Sequence, residues 1–203
     1  MKDVISPQNL RMKFYRTASY DIITEAQITP VVKEQFGLKY LHGSSLVNEV
    51  YEDVSYSMTS IESKFRNFLR DKDIDHALEL GTHFGTGSLL LAHYAYSLRT
   101  VDVIPYTEPL DLWAYFGVHK KIEFAVALTP EARLKYINRT DFDFAHIDTN
   151  VNYATTKRDF EEVKKCGRVL FHDLAHDYNK KFVAKLPKKE VTIDYPFAYW
   201  EKG

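Results

Sequence analysis

His76-Ala77-Leu78-Glu79-Leu80-Gly81-Thr82-His83-Phe84-Gly85-Thr86-Gly87-Ser88-Leu89-Leu90-Leu91 is the stretch from which the rest of the chain is read. Ala77, Leu78 and Leu80 have the character of the end of a buried strand. Three glycines follow, and then an apolar run that suits a helix. Strand, glycine-rich turn and helix form the front half of a nucleotide-binding βαβ unit. Glycine lets the backbone turn sharply and approach a ligand closely, because no Cβ intervenes. The helix start beyond it offers free N–H groups.

The glycines Gly81, Gly85 and Gly87 are spaced G-x-x-x-G-x-G, which departs from the G-x-G-x-x-G dinucleotide fingerprint. Glu79 is the last acidic group of the strand. The run from Leu78 to Gly87 resembles the first motif of class I S-adenosylmethionine-dependent methyltransferases. The resemblance implies that Glu79, Gly81, Thr82, His83, Gly85 and Gly87 surround the cofactor, with the acidic residue anchoring either the loop or the cofactor's amino group. The same kind of turn also serves as a packing loop in other α/β proteins.

Length and composition set the frame. The chain has 203 residues, 45% hydrophobic and 27% charged, with a net charge of −1. This is the profile of a soluble globular protein with a full core, and no global field draws it to nucleic acid or membrane. The single cysteine, Cys166, excludes an internal disulfide and a cysteine-based metal site. Neither a signal peptide nor a bilayer-spanning apolar run is read, so a cytoplasmic location is expected.

Residues 1–72 are read as an N-terminal helical extension or cap. A short helix is expected after Thr29-Pro30, ending at Gly37, and a longer one after Ser44 or Ser45. Leu46, Val50, Val54, Met58, Ile61, Phe65 and Leu69 form one apolar stripe along that longer helix. These helices would cover the site or make a homodimer contact.

Residues 73–203 are read as one α/β domain, a Rossmann-like, mostly parallel sheet with helices on both faces and a closing antiparallel hairpin. After the first strand, Arg99 to Ile104 reads as the second, with Asp102 near its carboxyl end. Asp102 lies about twenty residues past the turn, where such folds place a carboxylate for two ribose hydroxyls. A surface aspartate at a strand end is the alternative, and Glu108 or Asp111 are weaker substitutes. Ile122 to Leu128 is the third strand, and Thr129-Pro130 opens a helix. Phe142 to Ile147 is the fourth strand and delivers Asp148. Tyr153 to Lys165 is helical and Gly167 ends it. Arg168 to Phe171 is the fifth strand and delivers His172 and Asp173. Glu79, Asp102, Asp148, His172 and Asp173 would therefore share the carboxyl edge of the sheet, where open α/β sheets bind ligands. His93 and His146 read as packed core histidines.

The segment from Phe142 to Asp148, then Tyr153 and Arg158-Asp159, then Gly167 to Asp173, is similar to the family 24 methyltransferase domain of small-molecule and macrolide-sugar O-methyltransferases. That resemblance covers roughly residues 75–203. It implies methyl transfer from S-adenosylmethionine to a small-molecule hydroxyl, with Asp148, His172 and Asp173 in catalytic roles. Asp148 and Asp173 also suit Mg²⁺, with loop capping and cofactor contact as the alternative. His172 reads as a third ligand, a general base or a neighbour. Two positions depart from the family's pattern. Val151 stands where the branch carries a histidine, and Thr129 where many members carry an acidic residue near adenine. They keep a non-catalytic cofactor-binding module open as a second reading, with His176 as a nearby substitute base. An NAD-dependent oxidoreductase is a third, disfavoured by the glycine spacing.

Overall fold

The computed structural model describes residues 62–83, 85–106, 108–138, 141–149 and 152–203. Both N-terminal helices of the sequence reading fall outside these residues, apart from the last turns of the longer one, α1 (Glu62–Leu69). Val151 falls outside them as well. No helix among the described residues is long and apolar enough to cross a membrane.

Alternation of strand and helix follows. The elements are β1 (Ile74–Leu80), α2 (Thr86–Tyr94), β2 (Ala95–Asp102), α3 (Glu108–Tyr115), β3 (Ile122–Val126), α4 (Pro130–Ile137), β4 (Phe144–Ile147), α5 (Tyr153–Val163), β5 (Arg168–Phe171), α6 (Asp177–Val183), β6 (Val191–Asp194) and β7 (Phe197–Glu201). The seven strands form one sheet in the order β3-β2-β1-β4-β5-β7-β6. β1 to β5 are parallel, and β7 is antiparallel to both β5 and β6. This is the expected Rossmann-like sheet with its closing hairpin. The chain runs outward through β2 and β3 and then returns to the other side of β1. The β1/β4 boundary is thus a topological switch point, where loops leave in opposite directions and open a crevice.

Local chemistry explains the boundaries. Thr129 caps α4 by accepting from the Ala132 amide, with Pro130 at the first helical position. Asn152 caps α5 through the Thr155 amide. Gly167 follows the end of the next turn at φ 80°, a conformation that costs glycine little. Boundaries of β2, β3 and β4 differ from the sequence reading. β2 starts at Ala95, directly after α2, because Ala95 pairs with Ile74 at the start of β1. It stops at Asp102, leaving Val103 and Ile104 exposed. β3 ends at Val126, and Leu128 is outside the core. β4 begins two residues late because Asp143 turns its carboxylate to the amides of Asp75 and His76, at 3.2 and 2.9 Å.

One apolar cluster joins Phe65, Leu69, Leu89, Leu91, Leu112 and Trp113. A second joins Leu80, Ile137, Phe160, Phe171 and Phe182. Burial of large side chains in both holds the sheet and thereby the carboxyl edge.

Candidate functional site at the carboxyl edge of the sheet

The backbone ladder continues past the strand ends. The Gly81 amide donates to Val101 O, Asp148 N to Leu80 O and His172 N to Ile147 O. The turns after β1, β4 and β5 are thereby fixed side by side. Gly81 has φ 94°, and a Cβ there would lie 2.3 Å from the Asp148 carbonyl oxygen. Gly85, at φ 81°, is the cap residue of α2, and Trp113 Nε1 donates to its carbonyl. Gly87 is buried within the first turn of α2.

Asp102 organises this turn. Its Oδ2 accepts from the amides of Thr82 and His83, at 2.7 and 2.9 Å, and its Oδ1 from Ile104 N at 3.0 Å. A carboxylate offers roughly four acceptor positions, so one remains, on Oδ1. Thr82 turns inward and bonds Thr100 Oγ1 at 2.6 Å. His83 has φ 46°, and its ring stands edge-on to Tyr106.

Glu79 lies behind the turn, 1% exposed. Its Oε2 accepts from Ser88 and Thr100, and its Oε1 lies 3.0 Å from His146 Nδ1. Glu79 thus ties β1 to the helix after the turn, to β2 and to β4. Thr129, in the adenine position of the resembled pattern, is occupied as the cap of α4.

Across the switch point, His172 lies between two carboxylates. Its Nδ1 is 3.0 Å from Asp148 Oδ1 and its Nε2 3.4 Å from Asp173 Oδ1. Both ring nitrogens are buried. The ring stacks on Phe197 at 4.9 Å. Burial would push the Asp148 carboxyl up, but the His172 imidazole, then His146 and His83, outweigh this and hold it at about 2. Burial likewise opposes the charged form of His172. Asp148, then Asp173 and Glu79, prevail and raise it above the ordinary histidine value. Asp173 has φ 56°. Asn179 fixes that corner: it donates to the carbonyls of His172 and Asp173 and accepts from Thr156. His176, by contrast, is exposed, stacks on Tyr178 and lies 4.0 Å from Asp173 Oδ2.

All the sequence-derived candidates therefore sit at one edge, but their company differs from the expectation. Among the described residues, the group whose donor atoms converge as a metal set is His146, Asp148 and His172, within 4.8 Å of one another. Asp173 is not in it. Mg²⁺ takes oxygen ligands in a near-octahedral shell, and a set with two imidazoles does not fit it. His146, read as a core residue, is fully buried as expected, and its ring also falls within this group. The signal was available, since residues two apart on a strand share a face. Asn179 and Thr149 were not singled out in the sequence, and Asp159 only as part of the Arg158-Asp159 motif. Thr149, next to Asp148, donates to the buried Asp159 carboxylate. A cavity of about 220 Å³ lies at the opposite, amino edge, lined by His76, Arg99, Lys121 and Glu123 among others. The Arg99–Glu123 ion pair at 2.6 Å fills part of that wall.

No family model and no curated protein matches the chain. Solved structures do. A provisionally assigned caffeoyl-CoA O-methyltransferase from Staphylococcus aureus is 13% identical, with a TM-score of 0.60, over 96% of this chain and 97% of that one. The O-methyltransferase TomG from Streptomyces achromogenes, solved with S-adenosylmethionine, is 17% identical with a TM-score of 0.55, over 71% and 81%. An O-methyltransferase from Bacillus cereus, solved with S-adenosylhomocysteine, is 15% identical with a TM-score of 0.54, over 70% and 81%. At these identities the likeness is one of architecture: the chain has the Rossmann-like fold found in S-adenosylmethionine-dependent methyltransferases.

Proposed function

We propose that the protein transfers the methyl group of S-adenosylmethionine to an oxygen of a small-molecule acceptor. The observation that carries this reading is the glycine turn at the switch point, whose Thr82 and His83 amides donate to Asp102 and whose Thr82 side chain is linked through Thr100 to the buried Glu79. The presence of S-adenosylmethionine or S-adenosylhomocysteine in structural neighbours supports the same ligand. In this reading Gly81, Thr82, His83, Gly85 and Gly87 line the methionine end. Asp102 offers its remaining Oδ1 acceptor position to a ribose hydroxyl.

Methyl transfer is an in-line attack on a sulfonium, so most of the rate comes from holding donor and acceptor in register. The acceptor proton would leave toward the Asp148–His172–Asp173 group. Asp148 is a carboxylate throughout the neutral range. His172 is 3% exposed, so it acts through the carboxylates that flank it and not as a base in open contact with acceptor. A non-catalytic binding module is the second reading, favoured by Thr129 being taken up as a helix cap.

Calorimetric titration with S-adenosylmethionine and S-adenosylhomocysteine tests the cofactor. Micromolar binding is expected, weakened by Asp102→Ala by roughly tenfold or more, since charged hydrogen bonds to the turn are worth about 1.5–3 kcal/mol each. Binding of neither ligand would overturn the reading. Bound cofactor without turnover across a panel of hydroxylated acceptors would favour the binding module.

A further inference from the structure

We propose that His146, Asp148 and His172 form a binding site for a divalent first-row transition cation of the Zn²⁺ type, selective against Mg²⁺. The proposal rests on side-chain geometry and does not depend on the methyl-transfer reading.

The three residues come from adjacent parallel strands. β4 carries His146 and delivers Asp148 just past its end, and β5 delivers His172, with Ile147 paired to Phe171 between them. Their donor atoms lie within 4.8 Å of one another, so small side-chain movements would close the set onto one ion.

One buried imidazole nitrogen, His146 Nε2, lacks the partner that a buried polar atom normally has, while the His172 ring lies between the Asp148 and Asp173 carboxylates. His146 Nδ1 faces Glu79 Oε1 at 3.0 Å. Glu79 Oε2 already accepts from Ser88 and Thr100. A carboxylate only accepts, so the His146 proton belongs on Nδ1. Its Nε2 is left with a bare lone pair, fully buried and without a hydrogen bond. A carboxylate behind an imidazole, fixing its tautomer and raising its basicity, is the usual support of a metal-bound histidine. His172 is also buried, its ring stacked on Phe197 and its Nδ1 3.0 Å from Asp148 Oδ1, so these two donors already converge. Asn179 holds the backbone on which it is carried.

The donor chemistry selects the ion. Two imidazoles and one carboxylate suit Zn²⁺, Co²⁺, Mn²⁺ or Fe²⁺, whereas Mg²⁺ prefers oxygen alone. Three protein ligands leave at least one position for an exchangeable oxygen ligand. Asp148 retains 21% side-chain exposure, so the site has an outlet on the carboxyl edge.

The full chain, stripped with EDTA, is dialysed against Zn²⁺ or Mg²⁺ and its metal content measured. One equivalent of Zn²⁺ is expected, with Mg²⁺ bound at least a hundredfold more weakly. His146→Gln and His172→Gln should each lose affinity by about tenfold or more. With ¹⁵N-labelled wild-type protein, Zn²⁺ should shift ring nitrogens of two of the eight histidines, a readout that needs no variant to fold. Absence of stoichiometric Zn²⁺, a preference for Mg²⁺, or unchanged histidine resonances would overturn the proposal. Zn²⁺ binding in a sample that binds neither S-adenosylmethionine nor S-adenosylhomocysteine would uphold the metal site and overturn the methyl-transfer reading.

Discussion

Gly81 is the residue at which fold and candidate site meet. Its left-handed φ of 94° would strain any side chain, and a Cβ would meet the Asp148 carbonyl at 2.3 Å. That oxygen belongs to the backbone, so it cannot swing aside as a flexible side chain could. Gly167 is a natural control, with φ 80° and nothing within 4 Å of an added Cβ. Left-handed strain alone costs about 1–2 kcal/mol, so Gly167→Ala should lose about that much. Gly81→Ala should lose at least about twice as much, because the turns after β1 and β4 must also part. Urea unfolding of the two variants measures the difference, and equal losses would mean that the close approach at the switch point is not what requires glycine. The spacing of the three glycines was readable in the sequence. That Asp148 is the group Gly81 makes room for was not, because it comes from the end of a strand 67 residues further on, as measured from Gly81 to Asp148.

Helix α5 shows how an element outside the site secures its floor. Asp159, fully buried on α5, accepts from Thr149 beside Asp148 and pairs with Arg133 of α4 at 2.6 Å. Arg133 also reaches Glu162 at 2.5 Å and is itself buried. Breaking a buried pair by removing one partner's charge typically costs about 3–5 kcal/mol. Asp159→Asn should fall at the lower end of that range, since Glu162 continues to neutralise Arg133. A thermal or urea transition unchanged by this substitution would show that the link does not bear on stability. The elements themselves were largely legible. Thr129-Pro130 and Gly167 announced helix limits by their own chemistry, and β5 came out at Arg168–Phe171 as read. The starts of β2 and β4 were not legible, since they are decided by pairing with β1 and by the Asp143 side chain. Arg158-Asp159 was visible as a motif, but not that its aspartate ties two helices to the β4 turn. The carboxyl-edge candidates were legible because strand ends converge by topology. His146 was legible as a buried strand residue, but its pairing with Glu79 of β1 was not, because it is set by the register of β1 and β4.

At the scale of the whole molecule, the sheet must bury polar groups along with its apolar clusters, and one such group makes global stability depend on pH. His93, in the last turn of α2, has its Nε2 buried without a hydrogen bond. Lys121 reaches in nearby and donates to the carbonyls of Ala92 and Ala95, at 2.8 and 2.9 Å. Burial, and secondarily the Lys121 charge, lower the His93 pKa from 6.5 to about 4. In the unfolded chain His93 takes up its proton near its ordinary value. Between the two values the unfolded state therefore binds more protons, and stability rises with pH across that window. It is lost as pH falls from about 6.5 toward 4. Between pH 7 and 4.5 the loss from this one residue is about 2 kcal/mol. His172 works in the opposite direction, because its raised value favours the folded state as protons are added. A bare pH profile would mix the two, so the informative quantity is the difference between wild type and His93→Leu, both stripped with EDTA. At pH 7 the variant should be as stable as wild type or more so, having exchanged an unpartnered nitrogen for an apolar group. At pH 4.5 it should be the more stable by about 2 kcal/mol beyond any difference at pH 7. Parallel pH dependences in urea unfolding would mean that His93 is hydrated or partnered in solution, and that the packing of Lys121 against α2 is looser than the structure places it.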